Sequence, residues 1–149
     1  MNKTVEKKIK ETAVKRNLIS SLPIAHGVGR RKSSVARIWL RHGAGKITIN
    51  KKDFLNYCST DVAKRAVLEP LALIGVGSDF SIEVNVKGGG IHSQADAIKL
   101  GISRALSFYS NDYKIILRSK GYLTVDSRLK ERKKYGQKGA RKKFQFVKR

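Results

Sequence analysis

Acidic residues are scarce in this chain. Eleven Asp and Glu face 33 Lys and Arg in 149 residues, a formal charge of +22. A surface so short of carboxylates disfavours cationic ligands and draws phosphate-rich polymers or anionic lipid. It also lacks the paired carboxylates that acid–base catalysis needs. Cysteine is nearly missing: with Cys58 alone no internal disulfide can form, which fits a reducing compartment. No apolar run approaches the roughly 18 residues of a membrane span. The best, residues 67–76, is broken by Glu69 and Pro70. The N-terminus shows no apolar secretory segment, and its Lys-rich, partly acidic character differs from an Arg/Ser-rich transit peptide.

What is present is positive charge, unevenly placed. Residues 127–149 hold eleven basic side chains and one acid, Glu131, so nearly half of the excess lies in the last sixth of the chain. That segment has no hydrophobic period, and Gly136 and Gly139 weaken any helix there. The expectation is an extended basic tail, ordered by a polyanion. Tyr135, Phe144 and Phe146 are interleaved with its cations and offer planar faces for base stacking, which a merely solubilising tail does not need. Residues 1–25 read as a flexible basic extension, with Val5, Ile9 and Ala13 marking one short, weakly amphipathic helix.

Between the tails, residues 26–126 read as a globular domain. Val35 to Arg41 alternates as a strand with Ala36, Ile38 and Leu40 on one face. A turn at residues 42–45 and a return strand at Lys46–Asn50 suggest a hairpin. Phe80 to Lys87 alternates again, with Phe80, Ile82, Val84 and Val86 inward. Ile91, Ala95, Ile98, Ile102 and Leu106 step at helical spacing. A second helix carries Tyr113, Ile116 and Leu117 and ends near Gly121. A third runs from Asp61 to Leu68 and stops at Pro70. The expected fold is α+β: a two-layer sandwich of a mostly antiparallel or mixed sheet with helices on one face, plus the long basic tail.

Few residues suggest chemistry. Lys87-Gly88-Gly89-Gly90 joins a strand to a helix but fits neither GxxxxGK[ST] nor GxGxxG, so a tight turn or an RNA-backbone contact is favoured over a nucleotide pocket. His92 and Asp96 read as an exposed ion pair, because two groups do not make a metal site. Ser93 has no positioned base. Cys58 has no thiolate-activating neighbour and reads as core. No catalytic role, metal or cofactor is expected. Arg30, Arg31 and Lys32, followed by Ser33 and Ser34, read as a phosphate clamp of two guanidiniums, an ammonium and two hydroxyls.

Several blocks together resemble one family. Gly27-Val28-Gly29-Arg30-Arg31-Lys32-Ser33-Ser34-Val35-Ala36-Arg37 is similar to the opening signature of the bacterial-type small-subunit ribosomal protein nine family. Gly45–Asn50, Val86–Gly90 with Gln94-Ala95, and Gly101–Leu106 follow its order. Leu123-Thr124, Asp126-Ser127-Arg128, Glu131–Gly136 and the closing Lys148-Arg149 resemble its tail. Gly139, Lys143 and Val147 depart from the usual pattern.

The resemblance implies a structural constituent of the small-subunit head, binding the 3′ domain of small-subunit rRNA beside neighbouring head proteins, with no membrane partner. It implies that Lys148 and Arg149 touch the anticodon stem-loop of P-site tRNA. It assigns rRNA contacts to Arg30, Arg31, Lys32, Arg132, Lys133, Lys134 and Tyr135, and the further cations Arg37, Arg128, Lys138, Arg141, Lys142 and Lys143 are expected to join them. The expected location is a bacterial cytoplasm, with an organelle matrix as the alternative. A general DNA-compacting protein shares the charge but not the ordered blocks. A small-molecule kinase would require nucleotide binding at the glycine loop.

Overall fold

Strand β2 (Ser34–His42) has neighbours on both sides and organises the sheet in the computed structural model, which describes residues 22–147. Its small and branched residues Ser34, Ala36, Ile38 and Leu40 are fully buried. On one side lies β1 (Ala25–Arg31), antiparallel, and on the other β5 (Phe80–Lys87), also antiparallel. Beyond β5 come β3 (Ile47–Ile49), parallel to it, and β4 (Lys52–Asp53), antiparallel to β3. The five-stranded sheet is therefore mixed, in the order β1-β2-β5-β3-β4.

The expected hairpin between the strands at 35–41 and 46–50 does not form, because β5 lies between them. β5 offers eight paired positions to β2 and buries four apolar side chains, whereas β3 offers three residues. The longer apolar strand takes the central place. The hairpin that does form is β1–β2. Lys32, in its tight turn, adopts φ 51°.

β1 escapes a hydrophobicity reading because its inward residues include glycines. Helix α3 (Ile91–Tyr109) lies directly on them. A Cβ at Gly29 would overlap the carbonyl of Ala97, and one at Gly27 the carbonyl of Gly101. Ala97, Gly101 and Ala105, spaced by four, form the matching stripe on the helix. Close backbone approach replaces side-chain interdigitation at this junction.

Helix α1 (Phe54–Tyr57) is a single turn whose N-cap Asp53 accepts from the Leu55 amide. Helix α2 (Asp61–Ile74) continues through Pro70, contrary to the expected stop. Proline removes its own donor and crowds the preceding turn. Here Val67, Pro70 and Leu71 are all buried, and their packing outweighs that local cost. The helix ends instead at Gly75, φ 78°, whose amide donates to the Leu71 carbonyl at 2.9 Å. Helix α4 (Asn111–Ser119) buries Leu117 and is followed by Gly121 at φ 74°. Cys58 is a core residue, and burial pushes its thiol pKa up against a smaller opposing effect of Lys64. After Ser119 the described residues form turns and bends but no helix or strand.

Candidate nucleic-acid interface

The tip of the β1–β2 hairpin carries Arg30, Arg31 and Lys32, and the three have different surroundings. Arg30 and Lys32 are exposed. Arg31 is turned inward: its Nε lies 3.5 Å from Asp96 Oδ2 and its Nη1 3.1 Å from Asp126 Oδ1. The same Nη1 donates to the carbonyl oxygens of Arg128 at 3.2 Å and Asp126 at 3.4 Å. Arg31 thus joins hairpin, α3 and the segment after α4. Asp96, expected to pair with His92, pairs with Arg31.

Ser34 is likewise occupied. It is fully buried, and its hydroxyl lies 2.9 Å from both the Gly88 carbonyl and the Ser93 hydroxyl, with one proton to give to either. It cannot serve the phosphate clamp as a free donor, whereas Ser33 is exposed. Ser93 caps α3 by accepting from the Gly90 amide at 3.0 Å and donating to the Gly90 carbonyl at 2.8 Å. Gly88 and Gly89 stand at φ 76° and 65°, and a Cβ on Gly89 would overlap the Ser34 hydroxyl. The glycine loop therefore has a complete structural explanation as a tight strand-to-helix turn.

The open face of the sheet extends the basic tip. Register places Val35 between Arg30 and Lys87, and Arg37 between Val28 and Asn85. Arg30, Ser33, Arg37, Asn85 and Lys87 line one groove. Sequence reasoning named Arg30 and Arg37 as contacts, reached Lys87 only as the first residue of the glycine loop, and missed Asn85. Alternation already put both on the wet face; the missing information was that β5 is the neighbour of β2.

The segment after α4 is fastened to the body. Tyr122 donates from its phenol to Glu69 Oε1 at 2.7 Å, and Lys99 Nζ reaches Glu69 Oε2 at 2.5 Å while standing 4.1 Å from the centre of the Tyr122 ring. The bond to Glu69 pushes the Tyr122 pKa up to about 12, while the bonds from Lys99 and Tyr122 lower that of Glu69. Further on, Arg128 forks onto Asp126 at 2.7–3.1 Å. Those bonds, with the Arg128 amide and the nearby Arg31, hold the Asp126 carboxyl well below the usual carboxylate range. Beyond this root Arg132, Lys133, Lys134, Lys138, Lys142 and Lys143 are exposed, and so are the rings of Tyr135, Phe144 and Phe146. Arg141 pairs with Glu131 at 2.5 Å. Lys138 Nζ lies 5.5 Å from the centre of the Phe144 ring. Lys148 and Arg149 lie outside the described residues, as does the short helix expected near Val5, Ile9 and Ala13.

The family model for ribosomal protein S9/S16 matches residues 29–149. The chain belongs to that family. Its relatives include small ribosomal subunit protein uS9 of Borreliella burgdorferi (strain ZS7), 48% identical over 136 residues, 91% of this chain and all of the relative. The same protein of Cytophaga hutchinsonii is 47% identical over 128 residues, 86% of this chain and all of the relative. That of Borrelia duttonii (strain Ly) is 50% identical over 131 residues, 88% of this chain and 96% of the relative.

Within the S9/S16 family the chain is a structural component of the ribosome, a ribonucleoprotein constituent acting in translation, and not an enzyme. The blocks that carry the resemblance have clear places in the fold. The opening block is the β1–β2 hairpin with its glycine contacts to α3. The Val86–Gly90 block is the loop that buries Ser34. The Asp126-Ser127-Arg128 block is the root held by Arg31. Much of the family pattern thus encodes packing and anchoring.

Proposed function

We propose that this protein is a structural constituent of the small-subunit head that binds the 3′ domain of small-subunit rRNA. In this reading residues 26–126 form the docking domain and residues 127–149 a long basic tail that threads between RNA helices. Arg30, Lys32 and Arg37, joined by Lys87, are the phosphate contacts of the body. Arg128, Arg132, Lys133, Lys134, Lys138, Lys142 and Lys143 are those of the tail, with Tyr135 offering a face for stacking. Arg31 and Arg141 stand in the same set, each with an intramolecular partner to share with phosphate. Lys148 and Arg149 reach the anticodon stem-loop of P-site tRNA. A backbone contact there carries no sequence information, which suits a site that accepts every tRNA. The site of action is the ribosome of a bacterial cytoplasm, beside neighbouring head proteins.

The observation that carries this reading is the segregation of charge. The described residues after Asp126 hold one acid, Glu131, and their exposed aromatics Tyr135, Phe144 and Phe146 lie among the cations in sequence. A chain this basic neutralises phosphate by displacing condensed counterions. If about ten phosphates are contacted, rRNA affinity falls by roughly 10³–10⁵ between about 50 and 200 mM salt. A flat salt response contradicts the reading. Removal of Lys148 and Arg149 weakens P-site tRNA retention by assembled subunits without reducing incorporation. Unchanged retention contradicts the tRNA assignment.

A further inference from the structure

Glu131 is out of place in a segment whose task is only to neutralise phosphate. Eleven basic side chains surround it between residues 127 and 149, and it cancels one of them. Its carboxylate accepts three hydrogen bonds from Arg141, two from Nε at 2.9 and 3.2 Å and one from Nη2 at 2.5 Å. This fork closes the chain from 131 to 141 into a loop. The backbone turns with it: the Lys138 amide donates to the Lys142 carbonyl at 2.9 Å, and Gly136 stands at φ 65°. Tyr135, 97% exposed, sits on the outer turn.

The loop borders an open groove lined by Arg132, Lys134, Gln137, Arg141 and Lys143 together with Glu131. The Oε1 atom of Gln137 is buried and has no partner. A buried oxygen without a partner is costly unless a ligand or water completes it. A glutamine amide can present either its oxygen or its NH2 from the same side-chain shape. Cations on several sides and an amide able to donate describe a receptor for an oxyanion.

We propose that residues 131–141 form a preformed receptor for one RNA phosphodiester group, closed by the Glu131–Arg141 fork, with Arg132, Lys134, Lys143 and the Gln137 amide as donors. This rests on the RNA-binding reading above and refines it. Without the fork, like charges extend the loop, and binding must order it. Glu131 is then a positioning residue acting through Arg141, and it strengthens RNA binding although it subtracts a positive charge.

The test uses the full chain, a small-subunit rRNA head-domain transcript and three proteins: wild type, Glu131→Gln, and the exchange Glu131→Arg with Arg141→Glu. Glu131→Gln raises the net charge by one, so a purely electrostatic tail binds tighter. The receptor predicts a loss of about threefold or more at fixed salt, with an unchanged melting temperature and no shallower salt slope. The exchange keeps the net charge, restores the fork and recovers most of the affinity. Inorganic phosphate, replacing chloride at equal ionic strength, competes more strongly with wild type than with Glu131→Gln. Equal or tighter binding by Glu131→Gln, an exchange protein as weak as Glu131→Gln, or equal phosphate competition overturns the receptor. Wild type showing no preference for the transcript over unrelated RNA of the same length removes the functional reading and the receptor with it. Selective wild-type binding that Glu131→Gln matches removes the receptor alone.

Discussion

Four cations of the folded body find acids. Arg31 lies between Asp96 and Asp126, Arg41 reaches Glu83, Lys64 reaches Asp61, and Lys99 reaches Glu69. After Asp126 the described chain has one acid, Glu131, and most of its cations stand exposed. The body therefore uses part of its charge to fasten its own elements together and keeps Arg30, Lys32, Arg37 and Lys87 exposed, whereas the tail leaves most of its charge for a partner. Stability and binding should separate along the same line. Substitutions in the body change melting first, and substitutions in the tail change RNA affinity first.

The largest effect on the body comes from its closest packing. Gly29→Ala puts a methyl against the Ala97 backbone, which cannot yield by a side-chain rotation. A loss of about 2–4 kcal/mol in denaturant unfolding is expected. A variant as stable as wild type means that α3 does not rest on β1 in this way. Ser34→Ala follows. It removes the hydroxyl shared by Gly88 and Ser93 and costs about 1–2 kcal/mol by the same measurement. In the tail, Lys134→Ala should leave unfolding within about 0.5 kcal/mol while lowering the salt slope of rRNA binding by about one. A large stability loss there would erase the contrast between the regions.

The smallest effect is a titration. The Tyr122 pKa is raised, so its bond to Glu69 contributes fully below about 10 and is lost as pH rises through about 12. Glu69→Gln should bring that phenol back toward the ordinary range, read by phenolate absorbance. Glu69, Asp126 and Glu131 are shifted the other way. Their contributions are present above the ordinary carboxylate range and fade as pH falls through their lowered values. Neutral pH therefore leaves all of these locks closed.

Much of this contrast was readable from residue order. Alternation located β2 and β5, helical spacing located α3 and α4, and the charge count set the residues after Asp126 apart in composition. What escaped depended on contacts across the chain. β1 was hidden because Gly27 and Gly29 carry no hydrophobic signal, although glycine is what α3 requires there. The pairing of β2 with β5 rather than β3 is a choice among non-local partners that periodicity does not encode. Pro70 stops a helix locally but is overruled by burial. In the candidate interface, the residue types of the clamp were legible, but the inward turn of Arg31 and the burial of Ser34 were not. Both depend on Asp96, Asp126, Gly88 and Ser93, which lie 54–95 residues away in sequence or across an element boundary.

The most direct test compares the full chain with one ending at Arg128, measuring melting and binding to the small-subunit rRNA head domain in parallel. The root fastened by Arg31 and Tyr122 is kept, so the melting temperature should be unchanged. Affinity near physiological salt should fall by roughly a hundredfold, with the salt slope reduced by half or more. A truncated chain that binds within twofold of the full chain, or that melts markedly lower, contradicts the division of labour between body and tail.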